Sequence, residues 1–92
     1  MMCQVVNKYE SKYDVYIGRG SKWGNPYVLG KHGNRDEVIA KYREYLRSQV
    51  KSGEVTVNDL KNLDGKRLGC FCKPKACHGD VIARAVAWAI TQ

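Results

Sequence analysis

Cys70, Cys72, Cys77 and His78 fall within nine consecutive positions in the pattern C-x-C-x(4)-C-H. These are the ligand types of tetrahedral zinc in a reducing compartment. Side chains two apart on a strand share a face, so Cys70 and Cys72 can converge, whereas adjacent residues such as Cys77 and His78 seldom both reach one ion. The paired C-x-x-C spacing of common zinc sites is absent, and cysteine is also a frequent core residue. Zinc on these four residues is therefore kept as an alternative to a site without a cofactor. A second chemistry is nucleophilic: Cys77 lies beside His78 just ahead of an expected helix, an environment that can lower a thiol pKa. A third is anion binding, because His78-Gly79-Asp80 opens that helix, where backbone N–H groups and the dipole favour negative charge. His78 can exchange hydrogen bonds near neutral pH, and Asp80 either caps the helix or orients a ligand hydroxyl.

The other segment with chemical character is Ile17-Gly18-Arg19-Gly20-Ser21-Lys22-Trp23-Gly24-Asn25-Pro26. Glycine lets backbone approach a ligand closely, Arg19 and Lys22 are anion partners, and Trp23 offers a flat stacking surface. The competing reading is a glycine-rich turn in which Trp23 and Pro26 fill the core and Asn25-Pro26 sets the bend. The segment has neither G-x-G-x-x-G nor the G-K-S/T ending of a P-loop, which argues against a nucleoside triphosphatase. Taken with the first segment, it yields a ligand-binding set of Arg19, Gly20, Ser21, Lys22, Trp23, Asn25, Lys73, Cys77, His78, Gly79 and Asp80.

The elements that must position these residues follow from patterning. Residues 3–8 and 13–18 are rich in β-branched and aromatic types and flank a polar turn at 9–12, which predicts two strands joined as a hairpin. Glycines and Pro26 make 19–34 an irregular loop, the kind of connection that commonly binds something. Asn34 and Glu37 form a capping-box pattern, and Val38, Ile39, Tyr42, Leu46 and Val50 recur at helical spacing, so a helix is expected over 35–51. Its tyrosines are expected to pack. Thr56 caps a short helix over 57–63, residues 66–72 form a strand, and the apolar face of 79–91 forms the last helix. The order β-β-loop-α-α-β-α predicts a small α/β domain over 1–92, with about three strands covered by helices in two or three layers and the last strand parallel to an earlier one.

Composition limits the partners. The formal net charge of +7, with 27% charged and 43% hydrophobic residues, fits a soluble globular chain with an anionic partner. The cations are interspersed with Glu10, Asp14, Asp36, Glu37, Glu44 and Asp64, so a dedicated nucleic-acid arm is not indicated. No apolar run reaches the roughly 20 residues of a membrane span, and the first residues lack a signal-peptide pattern. A cytoplasmic location with reduced thiols and no membrane partner is expected. Assembly into a homo-oligomer that shares the site is compatible with the sequence.

Tyr13-Asp14-Val15-Tyr16-Ile17-Gly18-Arg19, Trp23-Gly24-Asn25-Pro26, Arg35-Asp36-Glu37-Val38-Ile39 and Gly65-Lys66-Arg67-Leu68-Gly69-Cys70-Phe71-Cys72-Lys73-Pro74, running on into Cys77-His78-Gly79-Asp80, resemble the domain of unknown function 4326 family of phages and bacteria. Phe71 stands where that motif often has Trp, which preserves an aromatic ring. The resemblance covers nearly the whole chain and implies a joint site made by the two end motifs. Its phage distribution implies an accessory protein acting on nucleotides, such as one that sequesters a nucleotide immune signal, which is an analogy. The leading expectation is a module that binds a nucleotide or nucleotide-sugar ligand. Two others stand beside it: a glycosidase or transferase acting on nucleosides or nucleotide sugars, with Asp80 or His78 in acid–base roles and Cys77 as nucleophile, and a zinc-stabilised nucleic-acid-binding domain.

Overall fold

The computed structural model describes residues 4–7, 9, 12–18, 20–28, 30–70 and 77–92. In chain order its elements are β1 (Gln4–Asn7), β2 (Val15–Tyr16), α1 (Arg35–Ser52), α2 (Val57–Lys61), β3 (Arg67–Cys70) and α3 (His78–Ala89). This is a small α/β fold with a three-stranded sheet and three helices.

The sheet order is β1-β3-β2, and both outer strands run parallel to β3. Val5 pairs with Leu68 on one side, and Val15 pairs with Leu68 on the other. The expected hairpin is therefore not formed: β1 and β2 point the same way with β3 inserted between them. The physical reason lies in β3. Leu68 and Cys70 on one face and Gly69 on the other are buried, and a strand buried on both faces is best placed where both of its edges are hydrogen-bonded. The outer strands are only partly buried, as their mixed composition allows. Asp14 extends the pairing, its N–H donating to the Arg67 carbonyl while its carboxylate accepts from the Arg67 N–H.

The start of α1 is the expected capping box: Asn34 accepts from the Glu37 N–H at 2.9 Å, and Glu37 accepts from the Asn34 N–H at 3.0 Å. Val38, Tyr42 and Leu46 supply its buried stripe, and Gly53, at φ 86°, closes it in the left-handed conformation. Thr56 and Asp59 form a second capping box on α2. That helix is shorter than expected because the chain tightens into successive three-residue turns from Leu60 to Lys66. The last helix packs against β1, α1 and α2. Its Val81, Ile82, Val86 and Ala89 join Ile17, Tyr42, Leu46, Leu60 and Leu68 in one apolar cluster.

Candidate functional site

The loops carrying the two end motifs leave the sheet at the same edge. One follows the C-terminal end of β2 at Ile17, and the other follows the C-terminal end of β3 at Cys70, the strand beside it. The second loop returns at Cys77, which is the N-cap of α3 in place of the usual serine or aspartate. Its sulfur accepts from the Gly79 N–H at 3.4 Å, and the Asp80 carboxylate accepts from the Cys77 N–H at 3.3 Å. Asp80 thus caps the helix start. The helix consequently begins at His78, one residue earlier than its periodicity suggests.

His78 is 9% exposed and reaches across to the first motif, with Nε2 lying 2.7 Å from the Ile17 carbonyl oxygen. A carbonyl only accepts, so Nε2 carries the proton and donates. In the neutral ring Nδ1 then presents a lone pair, 3.6 Å from the Cys77 sulfur. Cys77 in turn lies 3.0 Å from the Cys70 sulfur, and both cysteines are buried. Close packing supports the crossing: a Cβ added at Gly79 would meet Ile17 Cδ1 and Val5 Cγ1 at 2.8 Å each, so only glycine lets α3 settle here.

Tyr42 of α1 completes the junction. Its ring meets His78 edge-on at 5.0 Å, and its hydroxyl donates to the Trp23 carbonyl at 2.9 Å. Burial, with smaller contributions from Tyr45 and Cys77, pushes its hydroxyl pKa well above the usual phenol range, so it stays a neutral donor. One side chain therefore touches both motif segments. The helical spacing of Tyr42 predicts only packing. The available signal was chemical: a tyrosine on an apolar stripe brings a hydroxyl that needs a partner once buried.

A model of a domain of unknown function, DUF4326, matches residues 3–88 of this chain. The chain belongs to the DUF4326 family. It is similar to a phage T4 protein described as an uncharacterized 12.4 kDa protein in the nrdA-td intergenic region, with 51% identity over 85 residues, covering 92% of this chain and 78% of that protein. No solved structure matches.

Within this DUF4326 fold the remaining site residues separate by role. Arg19, Lys73 and Cys72 lie outside the described residues. Trp23, expected as a stacking surface, is 7% exposed and belongs to the apolar cluster, which is the core-filling alternative. Lys22, expected as an anion partner, donates to Asp59 at 2.8 Å and lies 5.6 Å from the Trp23 ring centre. That contact, followed by the Thr56 backbone hydrogen bond, holds the Asp59 carboxyl below its usual pKa. Asn25 fastens the loop to α1 by donating to the Val38 carbonyl, and its own oxygen accepts from the Tyr27 N–H. Ser21 donates to the Gly18 carbonyl at 2.6 Å, and Gly20 is exposed at φ 91°. His32 was not singled out by sequence; its Nδ1 accepts from Val28 N–H, and Lys41 donates to its carbonyl, so it shapes the same loop.

Zinc requires donors spaced around an ion. With Zn–S bonds of about 2.3 Å, two tetrahedral sulfur ligands stand roughly 3.8 Å apart. The Cys70 and Cys77 sulfurs are closer than that at 3.0 Å, and the described residues assemble no group of three or more potential ligands. Cys72, the remaining residue of the zinc alternative, lies outside the described residues. The nucleophile reading also meets an obstacle, since Cys77 is 1% exposed and its sulfur is engaged by Cys70 and Gly79.

Proposed function

We propose that this protein binds a phosphate-bearing, nucleotide-like ligand at the sheet edge where the two motif loops meet. The observation that carries the reading is the departure of both loops from the C-terminal ends of adjacent parallel strands, tied together by the His78–Ile17 hydrogen bond. Open parallel α/β sheets place their ligands in the crevice outside those strand ends. The +7 net charge favours an anion there, and the sequence of each motif carries a candidate cation, Arg19 in the first and Lys73 in the second. Retention of the ligand is favoured over turnover, because Cys77, His78 and Asp80 are committed to one another and to Ile17. Sequestering a nucleotide signal is the biological role this reading suits.

The test is calorimetric titration of the purified chain with nucleoside mono-, di- and triphosphates, cyclic dinucleotides and nucleotide sugars. At least one class binds, and Arg19→Ala and Lys73→Ala each weaken it by about 10-fold or more, the scale of one lost charge-assisted hydrogen bond. Mass spectrometry of the released ligand finds it unchanged. Failure of every class to bind, or wild-type affinity in both variants, refutes the joint site; a chemically altered ligand replaces binding by catalysis.

A further inference from the structure

We propose that the cleft between α1 and α3 is a docking groove for an acidic amphipathic helix of a partner protein. The groove has a volume of about 490 Å³, and Leu46, Val50, Ala85 and Trp88 make an apolar floor. Trp88 is 46% exposed, an unusual state for the largest apolar side chain and the type most enriched at binding hot spots. Four cations, Arg43, Arg47, Lys51 and Arg84, line the same groove. The Arg47 pairing with Glu44, at 3.6 Å between well-exposed side chains, is of the weak surface type and can yield to a partner carboxylate.

The shape and the charge together select the occupant. From Arg43 to Lys51 the groove follows nine residues of α1, about 12 Å from first to last, or two turns of a helix laid alongside. Apolar side chains at i, i+3, i+4 and i+7 would enter the floor, while flanking carboxylates would meet the cations. A second copy of this chain is a poor occupant, since it carries the same +7 charge and the same cationic groove. A bilayer is also a poor fit, because it accepts a protruding apolar face rather than a concave one. A smaller cleft of about 260 Å³ continues the groove through Arg43, Val81 and Arg84 to Asp36 and Asp80. Those two acids sit at the end away from Lys51, so the partner's acidic residues are directed toward the Lys51 and Trp88 end.

The probe is a 16-residue helical peptide with leucines at i, i+3, i+4 and i+7 and glutamates on the flanks, titrated into the isotope-labelled full chain and followed by NMR and fluorescence anisotropy. Saturable shifts at the Trp88 indole, Val50 and Ala85 are expected, with affinity falling at least 10-fold in R43E/R47E and in Trp88→Ala. The control K12E/K31E makes the same change in net charge at exposed lysines outside the groove and retains binding. Any of four results overturns the proposal: no binding up to millimolar peptide, equal binding of the lysine-for-glutamate peptide, shifts away from the groove, or equal loss in the control. Concentration-dependent self-association that protects Trp88 assigns the groove to a second copy. Binding to phosphatidylglycerol vesicles without binding to the peptide assigns it to a membrane.

Discussion

At the scale of single residues, the junction of the two motifs depends on polar atoms that find partners only across the fold. Tyr42 is the clearest case. Its hydroxyl satisfies the Trp23 carbonyl inside the core, so Tyr42→Phe leaves that acceptor without its donor and costs about 1–2 kcal/mol in urea denaturation at neutral pH. The pH dependence has a definite sign. Because the folded-state pKa is raised above the unfolded value of about 10, the hydroxyl's contribution is complete below that pH and is lost as pH rises through the folded value. Wild-type stability should therefore decline above about pH 10 more steeply than that of Tyr42→Phe. Parallel alkaline profiles for the two proteins would show that Tyr42 is not a buried donor. His78 obeys the same logic. Its imidazole was legible as a polar group near a helix start, but the atom it serves, the Ile17 carbonyl, is 61 residues away in sequence and leaves no mark in composition or spacing.

Among the elements, helix starts were the most legible features. Asn34 with Glu37, and Thr56 ahead of α2, announce themselves because a cap is a local hydrogen bond made within four residues. The α3 start was legible only in part: Asp80 was readable as a cap, whereas sulfur is a poor capping acceptor and Cys77 gave no such signal. How α3 rests on the sheet turns on Gly79. In an open helix Gly→Ala is favourable by up to about 1 kcal/mol, but here the new methyl group would fall 2.8 Å from Val5 and Ile17 side-chain carbons. Overpacking of this kind costs about 1–3 kcal/mol, so Gly79→Ala is expected to lower the urea midpoint with an unchanged slope. A more stable variant would mean that α3 does not lie against these residues.

For the whole molecule, the arrangement that matters is the insertion of β3 between two strands that precede it by more than fifty residues. Amides of Leu68, Gly69 and Cys70 are expected to show the slowest hydrogen exchange, near the limit set by global unfolding, while Val15 and Tyr16 in the two-residue β2 exchange sooner. Faster exchange in β3 than in β2 would contradict the order β1-β3-β2. The same topology puts both motif loops on one edge, and among the described residues no helix is long and apolar enough to cross a membrane.

What the sequence by itself determined is what local physics controls: an α/β chain, the cap and apolar stripe of α1, the glycine-rich loop, and a chemically dense start to the last helix. These follow from hydrogen bonds and periodicities that span a few residues. Only the tertiary structure decided that β1 and β2 are parallel, that Trp23 lies in the core, that Lys22 meets Asp59, and that Tyr42 and His78 join the two motifs. Each of these depends on which distant surfaces bury one another. Strand order depends on which strand the packing buries on both faces, and the fate of a buried polar atom depends on which partner the packing brings within reach.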